Sequence, residues 1–326
     1  MRQKKRNLPL IVMTNVLFYS LFFINSGYAD EPGRALRTGD IRENIYASAI
    51  LSDTTYLMAG DRGKIFRSID SGKTWREVTS GTKLSLFSVS FPDSKNGWIS
   101  GKSGLILHTT DGGITWSKQD SRTKKHLFSI NFEEARHGCA VGDWGVIVCT
   151  EDGGAIWQDV SVKEDVILYG LHFADSKHAW AVGEFGRIFK TGDGGRTWTL
   201  VPSPMEEKSL FCLDIEGDSL FAAGLDSIIM YSKDRGKTWQ RARNDSKNSI
   251  YGIVVRGQTG WAVGDSGTVL RTSDGGESWQ SVDVLEENKL FWVGTVSLQS
   301  GNPGNGLGFA AGAHGIFYNI VGDKLR

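Results

Sequence analysis

The chain has 326 residues, 40% hydrophobic and 23% charged, with only six prolines, which excludes a disordered linker and fits a folded protein. The first 29 residues hold four of the 37 basic groups and no acid, leaving 33 basic against 37 acidic groups. No clustered basic charge therefore argues for a nucleic-acid partner.

The N-terminal residues, 1–29, read as a secretory signal. Arg2, Lys4, Lys5 and Arg6 precede an apolar run from Leu8 to Ile24, and small residues follow at Gly27 and Ala29. The run is short for a membrane span, which needs roughly 20 residues. Cleavage after Ala29 is expected, with an uncleaved anchor as the alternative. The mature chain, residues 30–326, would then be exported to the periplasm, or to the thylakoid lumen in a photosynthetic host.

A repeat organises everything downstream. Tryptophan recurs at positions 75, 116, 157, 198, 239 and 279, each closing an octet of the type TGDGGRTW (191–198). A second marker, two glycines three apart, opens an apolar strand at Gly60, Gly101, Gly142, Gly183, Gly264 and Gly312, with Ser227 replacing the second glycine after Gly224. Further upstream in each unit an aromatic residue precedes a mostly small one: Tyr46, Phe87, Phe128, Tyr169, Phe211 and Tyr251, with Phe291-Trp292 as the exception. The runs are too short for helices and rich in β-branched and aromatic residues.

Each unit thus predicts four short strands, and seven units at this period predict an all-β, seven-bladed β-propeller. The blades are expected near 45–80, 86–121, 127–162, 168–203, 210–243, 250–283 and 290–320. The seventh unit supplies three strands, so residues 34–43 are expected to serve as its outer strand and close the ring.

Three cysteines, Cys139, Cys149 and Cys212, leave at least one thiol unpaired. A hairpin turning at Gly142 to Gly145 sets Cys139 opposite Val148 and sends Cys149 to the other face. Buried, unbridged cysteines are therefore expected over a disulfide.

The octets fit the Asp-box pattern. Asp70, Asp111, Asp152, Asp193, Asp234 and Asp274 are expected to accept N–H groups of their own turns. The glycine two residues on supplies a positive φ. Trp75, Trp116, Trp157, Trp198, Trp239 and Trp279 are expected to pack between blades. All of these roles are structural. Asp boxes also occur in sialidases, but glycoside hydrolysis needs a placed acid and a nucleophile or base, and no unit breaks the repeat with an inserted acidic loop. The six histidines never fall at metal-ligand spacing. The reading is therefore a non-enzyme with no catalytic residues, no metal and no cofactor.

The phrases ISGKSGLILHTTDGGITW (99–116), AVGEFGRIFKTGDGGRTW (181–198) and AVGDSGTVLRTSDGG (262–276) resemble the photosystem II stability/assembly factor family, as a bacterial member. The resemblance covers about residues 40–320. It implies an assembly factor or scaffold that holds a membrane protein or membrane complex in the envelope or thylakoid. The arginine-rich patch of photosynthetic members is not reproduced, since Arg62, Arg67, Arg187, Arg196 and Arg271 are spread along the units.

In a propeller the turns between second and third strands share one face with the loops entering the next blade. Trp144 and Phe185 occupy the same turn position in adjacent blades, beside Asp143 and Glu184, and Lys124 and Lys125 lie in a neighbouring entry loop. Exposed aromatics beside charges are the composition of a binding hot spot, so these six residues form the candidate partner surface. The alternatives are a ligand- or carbohydrate-binding propeller, whose channel would be lined by Ala47, Ser88, Ser129, Gly170, Cys212, Gly252 and Trp292, and a sialidase-like hydrolase.

Overall fold

The structure is a computed structural model and describes residues 36–37, 40–203, 207–284, 292–298, 307–321 and 324–325. The signal reading, residues 1–29, lies outside these residues. No helix among them is long and apolar enough to cross a membrane.

Seven sheets form the seven blades of a propeller, antiparallel throughout except for the short strand Arg243–Asn244, which pairs parallel with Ser278–Ser281 of blade six. Blade two is representative, with strands Leu86–Ser90, Gly97–Gly101, Leu105–Thr109 and Ser117–Asp120 running from the central channel to the rim. In blades one, two and four the second strand is buried on both faces in every residue, as in GWISG and AWAVG, so it reads as a continuous apolar or small run. Trp98, Trp180 and Trp261 on second strands are fully buried between neighbouring sheets. The ring closes where Ser48 Oγ of blade one meets Thr295 Oγ1 and Ser297 Oγ of blade seven, each at 2.8 Å.

Each inner strand carries a bulge. The pairing skips one residue between Ile45 and Ala47, Leu86 and Ser88, Leu127 and Ser129, Leu168 and Gly170, Leu210 and Cys212, Ile250 and Gly252, and Val293 and Thr295. In six blades the skipped residue is the aromatic noted in the sequence. A bulge re-aims a side chain, and here it turns the aromatic toward the channel mouth.

Two expectations are corrected. The described residues of segment 34–43 do not supply the outer strand of blade seven. Leu36–Arg37 instead pairs antiparallel with Thr74–Val78, adding a fifth strand to blade one, while Lys324–Leu325 pairs with Phe317–Val321 as the fourth strand of blade seven. Burial explains the choice for Leu36, which packs in one cluster with Trp75 of blade one and Phe309 of blade seven and so seals the seam between first and last blades.

The second correction concerns the cysteines. Cys139 and Cys149 form a disulfide, their Cα atoms 4.1 Å apart. The turn holds one more residue than expected, because Asp143–Gly145 forms a 3-10 turn inside the Gly142–Val146 loop. Val141 therefore faces Ile147 and Cys139 faces Cys149 directly. Cys212 remains a free thiol.

Candidate protein-binding face

The turn between second and third strands has one plan in every blade. Its middle residue is left-handed: Arg62, Ser103, Trp144, Phe185, Asp226, Ser266 and His314 have φ between 51° and 59°. None is glycine, although this region favours it. The first turn residue donates its N–H to the carbonyl just before the inner strand's first core residue, as Asp143 does to His126 (3.1 Å) and Glu184 to Ile167 (3.0 Å). Backbone bonds thus fix the turn, and the middle side chain is left to point outward.

Trp144 and Phe185 use that position to stand in solvent, 64% and 49% exposed. The flanking acids turn inward. Asp143 accepts the His126 N–H at 3.2 Å and lies 3.3 Å from the His126 ring Nδ1. Glu184 accepts the Ile167 N–H at 3.0 Å. Burial raises the Glu184 carboxyl above the usual range, and the charges of Asp165 and Asp143 add to that, although the Ile167 N–H opposes it. Lys125 Nζ donates to the Trp144 carbonyl at 3.3 Å, and Lys124 is exposed in the same loop. The structure therefore brings Lys125 onto the Trp144 carbonyl and His126 onto Asp143, and sets Glu184 and Phe185 at the matching place one blade on.

On the same face lies a feature the sequence only half disclosed. The re-aimed aromatics form a collar around the channel mouth: Tyr46–Phe87 5.9 Å, Phe87–Phe128 5.3 Å, Phe128–Tyr169 5.7 Å, Tyr169–Phe211 5.2 Å and Phe211–Tyr251 5.8 Å between ring centroids. Asp61 of the blade-one turn accepts the Tyr46 hydroxyl at 3.0 Å, which places collar and turns together. In blade seven the register puts Gly294, not Trp292, at the aromatic position. Trp292 lies two residues earlier, and its ring crosses Gly294 to stack on Tyr46 at 5.4 Å.

Collar and channel together line a space of about 410 Å³. Ala47, Ser88, Ser129, Gly170, Cys212 and Gly252 line it as expected, and Thr295 takes the seventh place. Its polar side chains join the blades. Ser129 Oγ accepts from Leu171 N (3.1 Å), Ser90 Oγ from Phe132 N (2.9 Å), Asn131 Oδ1 from Phe173 N (2.9 Å) and Asp214 Oδ2 from Val255 N (2.8 Å). Each inner strand is a sheet edge, and the neighbouring blade satisfies its outstanding donors. Asp214 also holds Arg256 at 2.9 Å and lies 3.6 Å from the His172 ring, whose pKa is lowered chiefly by burial. The charged groups of the channel are thus committed to holding blades together.

The octet aspartates are committed too. Asp193 accepts from Thr197 N (2.9 Å), Thr197 Oγ1 (2.6 Å) and Thr191 Oγ1 (2.8 Å). Burial alone would raise its pKa, but these bonds win and hold it at about 2. Asp70, Asp111, Asp234 and Asp274 repeat the arrangement, and Asp152 keeps the Thr150 hydroxyl but lacks the second one because Ile156 stands where Thr197 does. Trp75, Trp157 and Trp279 are fully buried, whereas Trp116, Trp198 and Trp239 are half-buried.

No curated protein matches the sequence at significant similarity. Among solved structures the chain is similar to one described as YCF48 bound to D1 peptide (TM-score 0.68, 21% identity, 91% of this chain and 97% of that one). It is also similar to YCF48 from Cyanidioschyzon merolae (0.69, 17%, 86% and 96%). A GH74 xyloglucanase from Xanthomonas campestris superposes at 0.72, with 11% identity, over 89% of this chain and 53% of the enzyme. At these identities the likenesses show a shared fold. The family model described as photosynthesis system II assembly factor YCF48 matches residues 37–124 and 155–252, more than half of the sequence, and the chain belongs to that family.

Proposed function

We propose that this chain is a non-enzymatic assembly or stability factor whose turn-bearing face docks a segment of a membrane protein. The observation that carries the reading is the pair Trp144 and Phe185: large apolar rings in solvent, at left-handed turn positions of adjacent blades, flanked by inward-held carboxylates. Rigid exposed aromatics on a fixed scaffold are the anchors from which protein interfaces draw most of their affinity. A structural relative described with a bound D1 peptide supports a protein segment as the ligand class. Among the described residues the channel is lined by one acid, Asp214, which is paired with Arg256 within the wall, so the lining offers no pair of carboxyls for hydrolysis.

An oxidising compartment belongs to the same proposal. The Cys139–Cys149 disulfide is of a kind that persists outside the cytoplasm, and the basic–apolar leader of residues 1–29 fits export to the periplasm or an equivalent lumen.

The test is a pull-down from solubilised host membranes with the mature protein and a Trp144→Ala/Phe185→Ala double variant. The wild type should capture a membrane protein, and the variant should lose it with an unchanged thermal melt. Equal capture by both would remove this face from the function.

A further inference from the structure

We propose that the aromatic collar is a receptor for a single cationic side chain, lysine or arginine, presented by the docked segment. This rests on the reading that the face binds protein, and adds the chemistry of the central anchor.

The collar is a near-continuous circuit. Seven rings spaced like the measured neighbours would each sit about 6.4 Å from a common axis, so a cation slightly off the axis comes within the roughly 6 Å over which it is attracted to a ring centroid. All seven are half-buried, so they remain open to the mouth. Blade seven departs from the repeat at this position. Its aromatic position is Gly294, where an added Cβ would lie 2.3 Å from the Trp292 ring, and that ring fills the gap from a different position. Plain repeat packing does not call for such a substitution, whereas a site that needs every wall does.

Carboxylates back the rings. Asp61, Asp143, Glu184 and Asp265 all occupy the first turn position, in blades one, three, four and six. Asp61 accepts the Tyr46 hydroxyl at 3.0 Å, Asn44 Nδ2 at 2.9 Å and Ser85 Oγ at 3.1 Å, a network that fixes it beside the collar. Burial raises the phenol pKa of Tyr169, with Glu184 and Asp143 adding to it, and burial with Asp265 does the same for Tyr251. These carboxylates therefore bear on the rings themselves. Three nearby cations are engaged, Lys125 on the Trp144 carbonyl, Lys208 on Asp226, and His126, stacked against Phe87, on Asp143, and Lys102, exposed in blade two, is the one cation at a first turn position against four carboxylates. An aromatic wall with negative charge behind it favours a cation and repels an acidic peptide. Small side chains beneath the collar leave the channel open to the aliphatic stem.

The experiment titrates the mature protein with four capped pentapeptides that differ only at the central residue: lysine, arginine, norleucine or glutamate. Calorimetry and tryptophan fluorescence supply the readouts. The lysine and arginine peptides should saturate, and the norleucine and glutamate peptides should bind at least about tenfold more weakly. Glu184→Gln/Asp265→Asn should weaken the lysine peptide about tenfold without moving the thermal melt, and Trp292→Leu should weaken it too. Norleucine binding as tightly as lysine, or no saturation by either basic peptide, overturns the proposal. Trp144→Ala/Phe185→Ala should keep the lysine peptide. If that variant also retains the membrane partner, the docking reading fails while the collar stands. If wild-type protein captures its partner but ignores both basic peptides, the collar fails while the docking reading stands.

Discussion

Trp292 stacks on Tyr46 with ring centroids 5.4 Å apart and planes 8° apart, joining the last blade to the first across the channel mouth. Both rings are half-buried, so the contact should contribute modestly: Trp292→Ala is expected to cost about 1–3 kcal/mol, a few degrees in a melt. Trp98, fully buried and stacked on Phe132 at 3.7 Å, sets the comparison. Trp98→Ala should cost about 3–5 kcal/mol. Equal losses at the two sites would show that Trp292 is a core residue and not a wall of the mouth.

The bridged hairpin makes a second prediction. Cys139 and Cys149 are ten residues apart, so the cross-link removes a short loop's entropy from the unfolded chain, about 3 kcal/mol in the chain-entropy model. Cys139→Ala/Cys149→Ala should lower stability by about 2–3 kcal/mol. Thiol titration checks the bridge directly. Burial raises the Cys212 thiol, so the native protein should react slowly. One thiol should appear on unfolding without reductant and three with it. Three without reductant would mean that no bridge exists.

These two cases also mark where sequence reasoning reached and where it stopped. The octets, paired glycines and alternating strands repeat in step, so blade number and strand order were legible, as were Trp144 and Phe185 as turn tips. Local geometry that no period encodes was hidden. A one-residue difference in turn length, the left-handed Trp144, shifted the hairpin register and brought the cysteines face to face. The inner-strand bulge disguised the collar, since strict alternation would not send Tyr46 and its equivalents to the mouth. Leu36 was misplaced because a two-residue strand has no pattern to read, and burial against Trp75 and Phe309 decides its position.

Acid should destabilise the propeller over two pH ranges whose signs follow from its titrating groups. Hydrogen bonds outweigh burial to hold Asp111 and Asp193 at about 2, and those from Thr238 lead in doing the same for Asp234, against about 3.9 in an unfolded chain. A depressed carboxyl stabilises the fold above its unfolded pKa, and that stability is lost as pH falls from about 4 toward 2. His172 acts higher. Burial lowers its folded pKa, so the unfolded chain takes up a proton first and stability falls as pH drops below about 6.5. Melting temperature against pH should show both slopes. Asp111→Asn/Asp193→Asn/Asp234→Asn should reduce the lower slope alone, leaving the part due to Asp175, and His172→Gln should reduce the upper alone, leaving the part due to His108, whose pKa burial also lowers. A triple variant that keeps the wild-type lower slope would remove the octets from acid stability.

The left-handed turn tip separates function from stability at one residue. Trp144 holds φ 59° with its ring 64% exposed, so it carries backbone strain and recovers little by burial. Asparagine tolerates this region far better. Trp144→Asn should therefore leave stability unchanged or raise it by up to about 1 kcal/mol, while membrane-partner capture falls. Ser103, left-handed at φ 58° in blade two, is the control: Ser103→Asn should bring a similar small gain and leave capture intact. A drop of several degrees for Trp144→Asn would show that the indole packs on its own hairpin. The exposed ring would then be part of the scaffold, and the anchor would have to be sought elsewhere on the face.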